Sequence, residues 1–334
     1  MNSLDARYQK FNLVKEMLEV PRIIRELDLA KIFSFSTDRQ KVILAGEGSS
    51  RIFPAKNVIY NSLVSGYCQM IISENCMQAA EYNLSQYSGY VASNSGRTSE
   101  AIQLMRCLNK KGHGDITAVT GSIESPLSVE STRAYILDCG RELAVSASKS
   151  VMEQALFFDL LFRHINGDPE PDLAALDDAM ELVLEMSIQA DIVSTAASAP
   201  LIYFAGKNNG VAEELALKAN EVVRKKTAYL EGTYALHGVE EVMSSDELVI
   251  LFDPFESQTD KLKSVLVDGA GVSVIAVSHR ETIFPTITVP RIEGFESYLQ
   301  LAAGWNLLVE TGLALGINLD SPVRARKIGN EYKG

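Results

Sequence analysis

Histidine is scarce in this chain, with 4 in 334 residues. His113, His164, His237 and His279 each stand alone, so no pair has the spacing of a helical metal site. Cysteine is equally sparse. Cys68, Cys76, Cys107 and Cys139 include no C-x-x-C pair, which argues against a zinc knuckle or a redox motif and leaves reduced, mostly buried thiols. No metal and no cofactor is expected. Apolar runs of the roughly 20 residues that a membrane helix needs are missing, and Met1 to Glu19 carries charges throughout rather than a signal-peptide core. A cytoplasmic location without a membrane partner is expected. Basic residues are outnumbered, 31 Lys and Arg against 43 Asp and Glu, for a net charge of −12. That field repels nucleic acid and anionic lipid. It does not exclude a small phosphate ester, because hydroxyls and backbone N–H groups at a helix N-terminus supply a local positive potential.

What is present is a globular composition, 46% hydrophobic and 22% charged, over a length that suits two ordinary domains. An internal repeat organises it. Lys41 to Gly46 reads KVILAG and Leu201 to Gly206 reads LIYFAG, 160 residues apart. Further apolar runs follow in step: Tyr90 to Ala92 and Leu248 to Phe252, then Ile116 to Thr120 and Val272 to Val277, then Tyr135 to Leu137 and Thr286 to Val289. Short apolar strands alternating with helical segments imply parallel strands and crossover helices. The expected fold is α/β, two tandem copies of a doubly wound parallel sheet. A seam is expected in Asn166 to Asp172, which holds two prolines. The expected domains are a helical arm over 1–35, bent at Pro21, a first domain over 36–167 and a second over 168–334.

Ligands of such sheets bind beyond the carboxyl ends of the strands. There the first copy offers Gly46-Glu47-Gly48-Ser49-Ser50 and Ser93-Asn94-Ser95-Gly96-Arg97-Thr98-Ser99-Glu100. The second loop could wrap the oxygens of a phosphate monoester. Its rival is an elaborate helix cap, in which Thr98 or Ser99 caps and Glu100 favours the first turn. Neither loop is a Walker A sequence or a G-x-G-x-x-G, which disfavours a nucleotide. In the second copy Glu214, Lys218 and Glu221 share one helix face. From spacing alone a solvated Glu–Lys pair, worth about 0.2–0.5 kcal/mol, is favoured there. His237, in Ala235-Leu236-His237-Gly238, could supply a second proton-handling group.

Taken together, these residues resemble the sugar isomerase (SIS) family, and the tandem arrangement is similar to the isomerase half of glucosamine-6-phosphate synthase and its deaminase and deglycase relatives. The patterns G-x-G-S-S, S-x-S-G-x-T, E-x-x-V-x-S-x-K, K-x-x-E and H-G appear as Gly46 to Ser50, Ser93 to Thr98, Glu142 to Lys149, Lys218 to Glu221 and His237-Gly238, with Glu16 to Pro21 matching a pattern near the start. The resemblance implies that Ser49, Ser50, Ser93, Asn94, Ser95 and Thr98 bind the phosphate and that Gly48, Val145 and Ala147 line the sugar. It further implies that Glu221 shuttles the proton between C1 and C2, that His237 opens the ring from the neighbouring subunit of a homodimer, and that Lys327 reaches the open-chain carbonyl with Glu214 and Lys218 in support. Val20, Val239 and Ala147 depart from the family pattern, and the last leaves the sugar open. The chain begins Met1-Asn2-Ser3 directly before the sugar domains and is expected not to use glutamine by itself. The resemblance therefore leads to a sugar-phosphate enzyme that converts glucosamine 6-phosphate to fructose 6-phosphate and ammonia. An isomerase subunit fed with ammonia by a separate glutaminase and a non-catalytic sugar-phosphate sensor stay open as alternatives.

Overall fold

In the computed structural model, which describes residues 1–2, 4–37 and 39–333, the apolar runs become parallel strands. The first copy holds β1 (Lys41–Gly46), β2 (Met70–Glu74), β3 (Tyr87–Ala92), β4 (Ile116–Thr120) and β5 (Arg133–Ile136). They form one five-stranded sheet in the order β2-β1-β3-β4-β5, with every neighbouring pair parallel. The second copy holds β6 (Leu201–Gly206), β7 (Lys226–Glu231), β8 (Leu248–Phe252), β9 (Ser273–Ser278) and β10 (Thr286–Thr288). Its order, β10-β9-β8-β6-β7, is the same topology read from the other edge. The duplication holds to the residue, since Gly46 faces Ala92 and Gly206 faces Phe252. Two strands were not anticipated. β2 and β7 lie at sheet edges and are mostly half-buried, so they lack the continuous apolar run that marks a strand covered on both faces.

Alternation along the strands sends Ile43, Ala45, Val91 and Ala118 to one face of the first sheet. There they meet Ala101, Leu104, Met105 and Leu108. Helices α1 (Ile52–Ser65), α2 (Ser99–Lys110) and α3 (Lys149–Ile165) flank this sheet, and the latter four side chains belong to α2. On the other face Tyr90 meets Phe157 and Phe158 of α3. Each of the larger aliphatic and Phe side chains buried here contributes about 1.5–3 kcal/mol, and covering both faces is what lets a parallel sheet be apolar throughout.

In the second copy α4 (Leu173–Glu185), α5 (Val211–Val222) and α6 (Glu296–Ala314) flank the sheet. α6 is buried continuously from Ser297 to Val309, as a helix with apolar residues on every face is. Gly304 allows α6 to press onto α5, because a Cβ there would lie 2.3 Å from Cδ1 of Leu215. Near the start of the chain, Pro21 stands at the second position of the helix Val20–Arg25. There its missing N–H is not needed, and the preceding helix, Asn12–Leu18, ends just ahead of it.

The chain divides into two compact units that follow packing rather than sequence order. One comprises Arg22–Glu142, Ala147–Asp172 and Ala325–Gly334, the other Met1–Pro21, Leu143–Ser146 and Leu173–Arg324. Among the described residues no helix is long and apolar enough to cross a membrane.

Candidate active site

In the first-sheet unit the two loops leave the carboxyl ends of neighbouring strands, β1 and β3, the point at which the strand order reverses. After β1 the chain makes a tight turn, Gly48–Ser50, that places Ser49 and Ser50 ahead of α1. Beside it, burial raises the Glu47 carboxyl above its usual range, and the Cys76 N–H donating to Oε1 at 2.9 Å offsets this only in part. After β3, Oγ of Ser93 lies 2.9 Å from Oγ1 of Thr98 and 3.5 Å from Oγ of Ser95. Thr98 occupies the N-cap position of α2 but makes no side-chain cap. The helix-cap rival therefore loses its central bond, and the hydroxyl turns inward to the cluster of serines.

Gly96 is what lets this loop close. Its φ is +59°, and a Cβ would lie 2.2 Å from Oγ of Ser125 and 2.6 Å from Oγ1 of Thr120. G96A should therefore strain the backbone, at about 1–3 kcal/mol, and displace the hydroxyls as well. Affinity for inorganic phosphate, read by calorimetry, is expected to drop at least ~10-fold. Binding at wild-type strength would sink the loop as an anion cradle.

The loop is tied to the end of the chain through Glu142, which sequence reasoning quoted only as the start of a motif. Its side chain is fully buried. Oε1 accepts from the N–H groups of Ser148 at 2.9 Å and Ser150 at 3.1 Å. Oε2 accepts from Nδ2 of Asn94 at 2.9 Å, Oγ of Ser150 at 2.9 Å and Nζ of Lys327 at 3.0 Å. Burial pushes this carboxyl up, but the Lys327 ammonium and the two N–H donors outweigh it and hold it below the usual carboxylate range. The last residues continue along the loop. Thr98 and Glu331 form an antiparallel bridge, Ser99 N–H donates to the carbonyl of Asn330 at 2.9 Å, and Tyr332 N–H donates to that of Arg97 at 2.9 Å. Asn94 and Lys327, far apart in sequence, thus share one carboxylate.

The corresponding place in the second-sheet unit is differently furnished. One residue past Phe252, where the first copy has Ser93, stands Asp253 with φ +45°. Lys207 Nζ donates to it at 2.5 Å, Arg280 Nη1 at 2.7 Å and Ser278 Oγ at 3.1 Å. At this position the second copy has a paired carboxylate, whereas the first copy presents neutral hydroxyls.

Elsewhere in the same unit α5 carries Glu214, Lys218 and Glu221. The solvated pair favoured by spacing is not what the fold makes of them, because the side chains of Lys218 and Glu214 are 1% and 0% exposed. α6 packs on the same helix, with Gly304 against Leu215. Lys218 Nζ lies 3.3 Å from Oε1 of Glu214 and 3.2 Å from Oε2 of Glu221. Glu221 keeps a quarter of its side chain in the open, at 25%. A residue absent from the sequence-derived set joins it: Ser146, buried, donates from Oγ to Oε2 of Glu221 at 2.7 Å. Val145 and Ala147 flank this serine and are half-buried. His237 is not gathered with α5. It is exposed, at the end of the turn Tyr234–Leu236, and its Nε2 lies 3.5 Å from Oγ1 of Thr233. Among the described residues no group of three His, Cys, Asp or Glu side chains could hold a metal ion.

Two parallel sheets in this shared strand order constitute the tandem sugar isomerase (SIS) fold, which solved structures share over nearly the whole chain. One is glucosamine-6-phosphate deaminase from Thermotoga maritima, with a TM-score of 0.75 and 17% identity, covering 96% of this chain and 99% of that one. Another is tagatose-6-phosphate ketose/aldose isomerase from Escherichia coli, with a TM-score of 0.75 and 17% identity, covering 97% and 100%. By sequence the chain is homologous to the isomerizing glutamine–fructose-6-phosphate aminotransferase of Sulfolobus acidocaldarius, 23% identical over 93% of this chain. It spans about half the length of that relative, 55%. No family model matches the chain.

Proposed function

We propose that the chain is an amino-sugar phosphate isomerase that converts glucosamine 6-phosphate to fructose 6-phosphate and ammonia. The observation that carries this reading is the burial of Lys218 between two carboxylates, one of which, Glu221, remains open to a ligand. Aldose–ketose interconversion needs one base that takes a proton from one carbon and returns it to its neighbour, and a carboxylate a quarter exposed and held by buried partners suits that task. Ser49, Ser50, Ser93, Asn94, Ser95 and Thr98 take the phosphate, with Gly48, Val145 and Ala147 beside the sugar. Lys327 meets the open-chain carbonyl or its imine, releasing Glu142 as it does so. His237 opens the ring; being exposed on its turn, it is presented to a second copy of the chain, so the active form is a homodimer.

The test is a panel of hexose 6-phosphates and amino-sugar 6-phosphates, followed for ammonia and ketose, with sedimentation checking the mass of two chains. Ammonia from glucosamine 6-phosphate is expected. Binding of fructose 6-phosphate without exchange of its C1 protons into deuterated water would instead establish a sensor. The likeness to an aminotransferase favours one second reading, amination of fructose 6-phosphate on the same residues, which ammonia and fructose 6-phosphate supplied together would reveal.

A further inference from the structure

We infer that Ser146 is a positioning residue for the carboxylate of Glu221, an inference that rests on the reading of Glu221 as the proton-shuttling base. A glutamate carboxylate turns broadly about its last torsion. Here two donors fix it from different parts of the chain: Lys218 Nζ at 3.2 Å from within α5 and Ser146 Oγ at 2.7 Å from the segment Leu143–Ser146. Both bind Oε2. The plane of the carboxylate is thereby set and Oε1 is presented as the oxygen that meets the substrate. Ser146 is only 3% exposed, so solvent does not readily replace its hydroxyl.

The serine is itself held. Glu16, on the short helix Asn12–Leu18, is buried and accepts from the N–H of Leu143 and, at 3.3 Å, from that of Ala144. Burying a carboxylate is unfavourable unless donors fill it. Here those donors belong to the backbone just ahead of the hydroxyl in question. A relay of contacts within one unit thus runs from Glu16 through residues 143 and 144 to Ser146 and on to Glu221. It gives this stretch a structural reason to pack with the second-sheet unit although its neighbours in sequence do not.

The experiment compares S146A, S146C and S146T with the unaltered protein on whichever sugar phosphate that protein turns over. S146A and S146C are expected to lower kcat by ~10–100-fold through loss of alignment, with KM changed less than about 2-fold. S146T restores a hydroxyl and is expected to recover most of the rate. Cysteine, close to serine in shape but a weak donor, serves in place of alanine if S146A does not fold, and unfolding midpoints check each variant. A full kcat in both S146A and S146C, or an effect confined to KM, overturns the positioning role while leaving Glu221 as the base. An unaltered protein that exchanges no C1 or C2 proton of any sugar phosphate in the panel overturns the reading of Glu221 and this inference together.

Discussion

E221Q is expected to lower kcat by at least ~10³-fold while fructose 6-phosphate still binds. Glutamine has nearly the same shape as glutamate and can keep the hydrogen bond from Ser146, but it cannot accept and return a proton. The fold should survive, because Lys218 retains Glu214 at 3.3 Å and Glu221 is not fully buried. Exchange of a C1 proton of fructose 6-phosphate into deuterated water, followed by NMR, reads the step directly. Turnover within tenfold of the unaltered protein would show that another group is the base.

The second large effect is on stability. E142Q is expected to destabilise the protein by about 1–3 kcal/mol, the usual loss when buried donors are left unpaired, since the Lys327 side chain keeps a third of its surface in solvent. Five donors converge on this carboxylate, from Asn94, Ser148, Ser150 and Lys327. An amide turns two N–H bonds toward donors whichever way it is flipped, and it leaves the Lys327 ammonium without its counter-charge. The pH dependence identifies the cause. Because the folded state holds this carboxyl below its usual range, its stabilisation is present above the unfolded value, about 4.3, and is lost as pH falls through the lower folded value. The gap between the two proteins in urea midpoint should be full at pH 7 and shrink once pH drops below about 4. A gap that stays constant into that acid range would mean that the carboxylate charge is not its source.

Much of the architecture was legible because strands covered on both faces advertise themselves as unbroken apolar runs. KVILAG and LIYFAG became β1 and β6 over the residues anticipated. β2, with Ser73 and Glu74 inside it, gave no such signal because one of its edges faces solvent. The site divided along a similar line. Serines and glycines clustered in one loop are visible in sequence, and so is a Glu–Lys–Glu spacing. Spacing could not say that the fold would bury that helix face and turn a surface pattern into an inner one. Glu142 was hidden for a different reason: its donors come from residues as distant as Asn94 and Lys327, and only folding brings them to one point. Ser146 sits next to Ala147, the position to which the family pattern drew notice, and nothing in the letters tells which neighbour points at Glu221.

The sharing of one carboxylate by Asn94 and Lys327 has a consequence for how the molecule is made. Both sheets leave the ribosome before residue 325 does. Until then the buried carboxyl of Glu142 lacks its cation, so the nascent first unit holds an acid without its counter-charge beside the serine-rich loop. The unit is therefore expected to remain loose, or its carboxyl protonated, until Lys327 has been made and can reach it. The order of translation thus postpones the final ordering of the serine-rich loop until both sheets have been made.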